Sequence, residues 1–433
     1  MTAEIAILNR EAVAMAADSA ATVQVENGQK IFASANKIFS LSKHHPVGIM
    51  VYGSALFMGI PWETIIKVYR KKLGETKFKT LYEYFQDFIK FLQEEEYLFP
   101  ENIQENYVKG SVNGYFISLL REEYLENIKI ILKEKNEVKE EETKQVLYNV
   151  IEKHLNLWKN CNNFLTNHKN LYKSILEKYD KVIEDSIIEV FEKLPISQDL
   201  KNNLKELAGF LFVAFPKELM NEAVSGVVIS GFGDDEIFPS IVTAYIEGIA
   251  NNILKYKEGD YESIDYEKNA MIIPLAQREM VDTFIYGISP RFVDLYNKLL
   301  FNTIEEYPKI IIDTIIKGMN DDEKIELIKK IKETSIINLE KGLESVRFIQ
   351  FKQFIEPILR VVTFLPKNEL AEMAESLVNL TCLRKKISMD EETVGGPIDV
   401  AVISKGDGLI WIKRKHYFDA KLNQHFFINY LEK

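Results

Sequence analysis

Two short, Ala-rich runs of largely apolar residues open the chain, residues 3–8 and 12–17, separated by the polar trio Asn9-Arg10-Glu11. Runs this short, bounded by turn-forming residues, predict a β-hairpin with both strands buried on both faces. Asp18 ends the second run, so the hairpin returns a carboxylate to the start of the first. A third apolar run, residues 47–52, leads into Gly53-Ser54-Ala55. Residues 226–233 read as a buried strand ending in a Gly-rich turn, 237–246 as its hairpin partner with Pro239 near its start, and 271–274 as a further strand. Near the C-terminus, 398–404 and 409–413 pair about the turn Lys405-Gly406-Asp407-Gly408.

Between these strands the period becomes helical. Residues 57–73 read as a helix, and Leu81, Phe85, Phe88 and Leu92 fall on one stripe of another. Further helices are expected over 115–133, 140–157, 163–194 and 198–216, with Pro100, Pro195 and Pro216 as breaks. Residues 279–287 and the stretch 290–365 are helical in pattern, and 370–383 carries Leu370, Met373, Ala374, Leu377 and Leu380 on one face. The chain therefore divides into strand-bearing segments 1–74, 223–288 and 366–433, and helical insertions 75–222 and 289–365. The aromatic stripes are expected to pack between helices, and the charged run 133–144 to be a solvated face.

With 433 residues, 46% of them hydrophobic, the chain can bury a large core. Its net charge of −11 disfavours nucleic acid or an anionic membrane surface as the main partner. Cys161 and Cys382, far apart in sequence, suggest a reducing compartment and no disulfide framework. The N-terminus lacks a basic segment followed by a long apolar one, and no apolar run is long enough to span a bilayer, so a cytoplasmic location is expected.

The most direct chemistry lies at the start. Removal of Met1 would make Thr2 the N-terminal residue, with a hydroxyl nucleophile and an α-amine together. That amine has an unperturbed pKa of roughly 7.7–8.0, so it can accept the hydroxyl proton near neutrality. Asp18 follows Thr2 by sixteen positions and Thr22 follows Asp18 by four. With these separations the start of the chain resembles the threonine-type N-terminal-nucleophile hydrolases, the proteasome β-subunits and their bacterial relatives. The family's Lys, followed by an aliphatic and an aromatic residue, is matched by Asn36-Lys37-Ile38-Phe39. Lys37 comes roughly three residues later than the simplest spacing, and residues 24–29 read as a loop that absorbs the difference. The strand ending in Gly53 and the late helix, Gly395-Gly396-Pro397 loop and hairpin are similar to the family's as well.

The resemblance implies an α+β fold, an αββα sandwich of two stacked antiparallel sheets flanked by helices, here with large helical insertions. It implies catalytic roles for Thr2 as nucleophile, Lys37 as the adjacent positive charge, Asp18 as its counter-ion and the Gly53 N–H as oxyanion donor. Thr22 and Ala55 would hydrogen-bond an extended substrate. The family also holds the N-terminal amine with an Asp and a Ser before the last hairpin. Here that region reads Asp390-Glu391-Glu392-Thr393, with Asp390 the first choice, Glu391 next, and no Ser in the strict position. Ala20 stands where many members carry Arg.

The function so implied is a threonine-type peptidase. An amidase for a small amide is one alternative, and a catalytically silent member whose helical insertion binds a partner protein is another. No metal or other cofactor is expected: His44-His45 lack further ligands at a suitable spacing, and Gly231-Phe232-Gly233 does not precede a helix as a phosphate loop would. Lys413-Arg414-Lys415-His416 reads as a solvated strand end. The expected partners are a peptide or protein substrate and further copies of the chain, with an ATPase or a substrate carrier left open.

Overall fold

Alternation within the first hairpin sets the layers of the molecule. In the computed structural model, which describes residues 2–25, 28–161, 164–165, 168–215, 224–316, 318, 320–388, 394–425 and 428, β1 (Ala3–Asn9) and β2 (Ala12–Ala17) pair antiparallel with Glu4 opposite Ala17. Asn9 closes their turn. Its Oδ1 accepts the N–H groups of Glu11 (3.0 Å) and Ala12 (3.1 Å), and its Nδ2 donates to the carbonyls of Val362 and Leu365. Ala3, Ile5 and Ile7 face one side and Ala6 and Leu8 the other, and both sides are buried.

The remaining strands are β3 (Ala21–Val25), β4 (Gly28–Phe32), β5 (Ile38–Ser40), β6 (Val47–Gly53), β7 (Leu56–Phe57), β8 (Ile60–Pro61), β9 (Ser225–Gly231), β10 (Ser240–Ala250), β11 (Ile253–Ser263), β12 (Ala270–Ala276), β13 (Asp399–Ser404) and β14 (Gly408–Lys413). One five-stranded sheet has the order β12-β1-β2-β13-β14 and the other β11-β10-β9-β6-β5, with antiparallel neighbours throughout. The two sheets share a core in which Leu8, Val13 and Met15 meet Met50 and Val228. Gly48 lets them approach, since a Cβ there would fall 2.6 Å from the Met15 methyl.

Helices cover both outer faces. On the first sheet lie α9 (Glu279–Tyr286), α12 (Glu356–Val362) and α13 (Lys367–Ile387), where Leu370, Ala374 and Leu377 pack on Ile5, Ile7 and Val400. On the second lie α1 (Trp62–Leu73) and α2 (Leu81–Glu94), whose Ile65, Phe85 and Phe88 pack on Val47, Ile49 and Ile229. The fold is thus an α+β sandwich of two antiparallel sheets between helical layers.

Six more helices, α3 (Glu101–Ser118), α4 (Leu125–Lys135), α5 (Glu140–Lys159), α6 (His168–Lys178), α7 (Asp180–Phe191) and α8 (Gln198–Phe210), build a core of their own around Phe116, Ile151, Ile183 and Leu204. Lys255 of β11 ties this body to the second sheet. It is buried, donates to the Leu211 carbonyl at 2.6 Å and pairs with Glu247 at 2.6 Å. Two long helices, α10 (Pro290–Ile315) and α11 (Asp321–Gln350), pack on each other. Among the described residues no helix is long and apolar enough to cross a membrane.

Several expected bounds move. Residues 24–29 are not simply a loop, because β3 and β4 form a hairpin with Val25 opposite Gly28. The helix expected from 115 begins at Glu101, and the one expected over 163–194 is two helices meeting at Tyr179. Strand β11 has no counterpart in the sequence reading. Its turn, Asn251-Asn252, has φ of 52° and 58°, a left-handed pair of the kind that joins tight hairpins.

Candidate active site

The hairpin end brings the first three candidates together. Thr2 precedes β1 and Asp18 follows β2, and the Asp18 N–H donates to the Ala3 carbonyl at 3.0 Å. Lys37 precedes β5 in the other sheet, where its carbonyl accepts the Val51 N–H at 3.0 Å. Its ammonium crosses between the sheets and donates to Asp18 Oδ1 at 2.6 Å and to Thr2 Oγ1 at 3.1 Å. Thr2, Asp18 and Lys37 are 5%, 0% and 6% exposed, so the pair is shielded from water on most sides.

Asp18 is held from several directions. Oδ1 also accepts the Ala3 N–H at 3.0 Å, and Oδ2 accepts the N–H groups of Ala20 (3.2 Å) and Gly395 (2.8 Å). Backbone donors of this kind stabilise the anion and fix its direction. The Thr2 carbonyl accepts the Gln277 N–H at 3.1 Å, which continues the β1–β12 ladder and fixes the Thr2 backbone.

Gly53 ends β6. Because Ile38 lies opposite Met50, Gly53 is at the same end of the second sheet as Lys37. Its φ is +81°, and a Cβ there would fall 2.4 Å from the Val224 carbonyl oxygen. Both the backbone and the space at this position therefore require glycine. Ala55 is exposed and its carbonyl accepts the Trp62 N–H at 3.2 Å. Thr22 lies in β3, opposite Ile31. Asp390, Glu391 and Thr393 lie outside the described residues. Among the described residues no group of three or more His, Cys, Asp or Glu side chains is arranged to hold a metal.

No protein-family model matches the chain, and no curated protein matches it. Among solved structures it is similar to Anbu (ancestral beta-subunit) from Yersinia bercovieri, at 10% identity and a TM-score of 0.28, with 99% of this chain and 94% of that chain covered.

Three residues near the site, Glu4, Cys382 and Lys415, have no role in it expected from the sequence. Glu4 is 2% exposed in the middle of the first apolar run, and neither of its carboxylate oxygens has a hydrogen-bond partner among the described residues. Burial pushes its carboxyl well above the usual range, the Lys37 charge acts to lower it, and the Asp18 charge raises it further. A charge inside an otherwise apolar strand was the available signal. Behind Asp18, the Cys382 thiol of α13 is pushed up to about 11, first by burial and then by the Asp18 charge. Lys415 is not a solvated strand end: it is half-buried and its ammonium pairs with the buried Asp399, which lies opposite Ala17. Neither Cys161 nor Cys382 is held in a disulfide.

Proposed function

We propose that the chain is a threonine-type N-terminal-nucleophile hydrolase that cleaves peptide bonds. The observation that carries this reading is the Lys37 ammonium, which donates to Thr2 Oγ1 and to Asp18 from a buried position between the sheets. A positive charge beside the hydroxyl favours the alkoxide, and Asp18 keeps that charge in place. With Met1 removed, the Thr2 amine takes the Oγ proton while Oγ bonds to the carbonyl carbon. The oxyanion so formed is stabilised by the Gly53 N–H. The C–N bond then breaks, the proton passes to the leaving amine, and water hydrolyses the Thr2 ester, regenerating the hydroxyl.

The exposed backbone at Gly53 and Ala55 supports an extended peptide, aligned with Thr22, over a small amide. Intact-mass and N-terminal analysis of active protein should begin at Thr2, and Thr2→Ala should lower hydrolysis of a peptide amide by roughly four orders of magnitude or more while the fold persists. Active protein that retains Met1 sinks the mechanism, and inactive protein that retains it favours the silent alternative. Faster turnover of small amides than of peptides would move the reading to an amidase.

We further propose that copies of the chain associate through α10 and α11. Phe292, Leu295, Tyr296 and Leu299 form one stripe along α10, and all four are more than half exposed. An apolar helical stripe left open to water is favourable when a partner covers it.

A further inference from the structure

The unsatisfied carboxyl in the first strand bears on the Thr2 centre directly. Thr2 and Glu4 lie two residues apart along the β1 direction, so their side chains leave the same face of the sheet. That face looks across at the second sheet, where Ala6 and Leu8 farther along the strand meet Ile38 and Met50. Glu4 is flanked in its own sheet by Ala17 and Leu275, which offer it no polar side chain. The charges that act on it come from other elements, Lys37 before β5 and Asp18 after β2, and Glu4 in turn acts on Tyr52 of β6. Behind Tyr52 stand Tyr245 of β10 and Arg278 before α9, and burial together with Tyr245 and Glu4 holds the Tyr52 phenol far above its usual range.

Neither oxygen of Glu4 is hydrogen-bonded among the described residues, yet Lys37, one of the charges that act on it, donates instead to Asp18 and Thr2. An ionised carboxylate with no partner in so dry a place is strongly disfavoured, whereas a neutral acid is tolerated. We propose that Glu4 is a positioning residue of the Thr2 centre: as a neutral acid it leaves Lys37 to Thr2 and Asp18, and as an anion it would draw Lys37 away and oppose the Thr2 alkoxide. Only a proton moves in this step, from the Glu4 carboxyl to solvent. The net charge of the Thr2, Glu4, Asp18 and Lys37 side chains then falls by one. The inference rests on the reading of Thr2 as nucleophile, but the charge coupling it asserts is measurable without turnover.

The test uses the full chain with Glu4→Gln and Glu4→Met, two neutral replacements of which the second also removes the unpaired polar atoms. The first readout is the titration of Lys37 by NMR of labelled lysine. An ionised Glu4 stabilises the Lys37 ammonium, so both variants should release the Lys37 proton at lower pH than the wild type. The second readout is kcat/KM for a peptide amide against pH. The alkaline limb should move upward in both variants, with wild-type activity falling about tenfold per pH unit where Glu4 ionises. Superimposable Lys37 titrations, or an alkaline limb that does not move, overturn the proposal. Retention of full activity by Thr2→Ala instead sinks the nucleophile reading, and the Lys37 titration still decides whether Glu4 and Lys37 are coupled. If the Gln variant fails to fold, the Met variant carries both measurements.

Discussion

At the scale of single residues, the Lys37–Asp18 pair is asymmetric. Without Lys37, Asp18 keeps three backbone donors, from Ala3, Ala20 and Gly395. Without an anionic Asp18, Lys37 keeps the Thr2 hydroxyl but loses the carboxylate to which it donates at 2.6 Å. Asp18→Asn should therefore destabilise the fold by about 3–5 kcal/mol and Lys37→Met by less, since the first leaves a buried cation unpaired. Urea unfolding at neutral pH reads the difference, and equal losses would argue against it. Both variants should lose turnover, and the double variant should lose little more than the worse single one, because the two residues act on Thr2 as one unit. A smaller effect concerns Cys382. With its thiol pushed up to about 11 by burial and by Asp18, it should alkylate slowly at pH 8 and faster as pH rises towards that value. Labelling followed by mass spectrometry checks this, and rapid labelling at pH 8 contradicts it.

At the scale of elements, Gly53 joins fold to chemistry. Gly53→Ala forces a Cβ into the Val224 carbonyl oxygen at a left-handed φ, so a loss of about 1–3 kcal/mol is expected by thermal unfolding. Hydrolysis should fall beyond that loss, because shifting this backbone moves the proposed oxyanion donor. The strand that Gly53 ends was legible in the sequence, as were the first hairpin and the last, because each is a short apolar run bounded by turn residues. The juxtaposition of Thr2, Asp18 and Lys37 was legible only through their spacing and the family resemblance, since composition says nothing about which strand ends meet. Strand β11 was not legible from hydrophobicity. Beyond Leu254 it carries Lys255, Lys257, Glu258, Asp260 and Glu262, and the decisive signal is the Asn251-Asn252 turn, where Asn tolerates left-handed backbone. Glu4 was hidden for the opposite reason: one acid in a run of apolar residues is easily read as part of a buried strand, and only the geometry reveals that it has no partner.

At the scale of the whole molecule, the layered body and the helical additions differ in how completely they bury their apolar residues. Helices α3 to α8 close on themselves around Phe116, Ile151 and Leu204, and their tie to β11 through Lys255 is itself buried. In contrast, α11 buries none of its residues, and α10 buries only Pro308 and Ile312. The same two helices expose Phe292, Leu295 and Leu299 at 57%, 59% and 63%, along with Phe348 at 63%. Such a surface fits an assembly in which neighbouring copies cover it, with the Thr2 centre in the strand-built part of each chain. Replacing Phe292, Leu295 and Leu299 together by Ser removes apolar area from the open stripe without entering any of the hydrophobic cores, so the variant should fold. Its mass by light scattering should fall to that of the single 50.1 kDa chain, while the wild type scatters as a multiple of it. A wild type that is already a single chain at micromolar concentration, or a variant whose mass does not change, would remove α10 from any such interface.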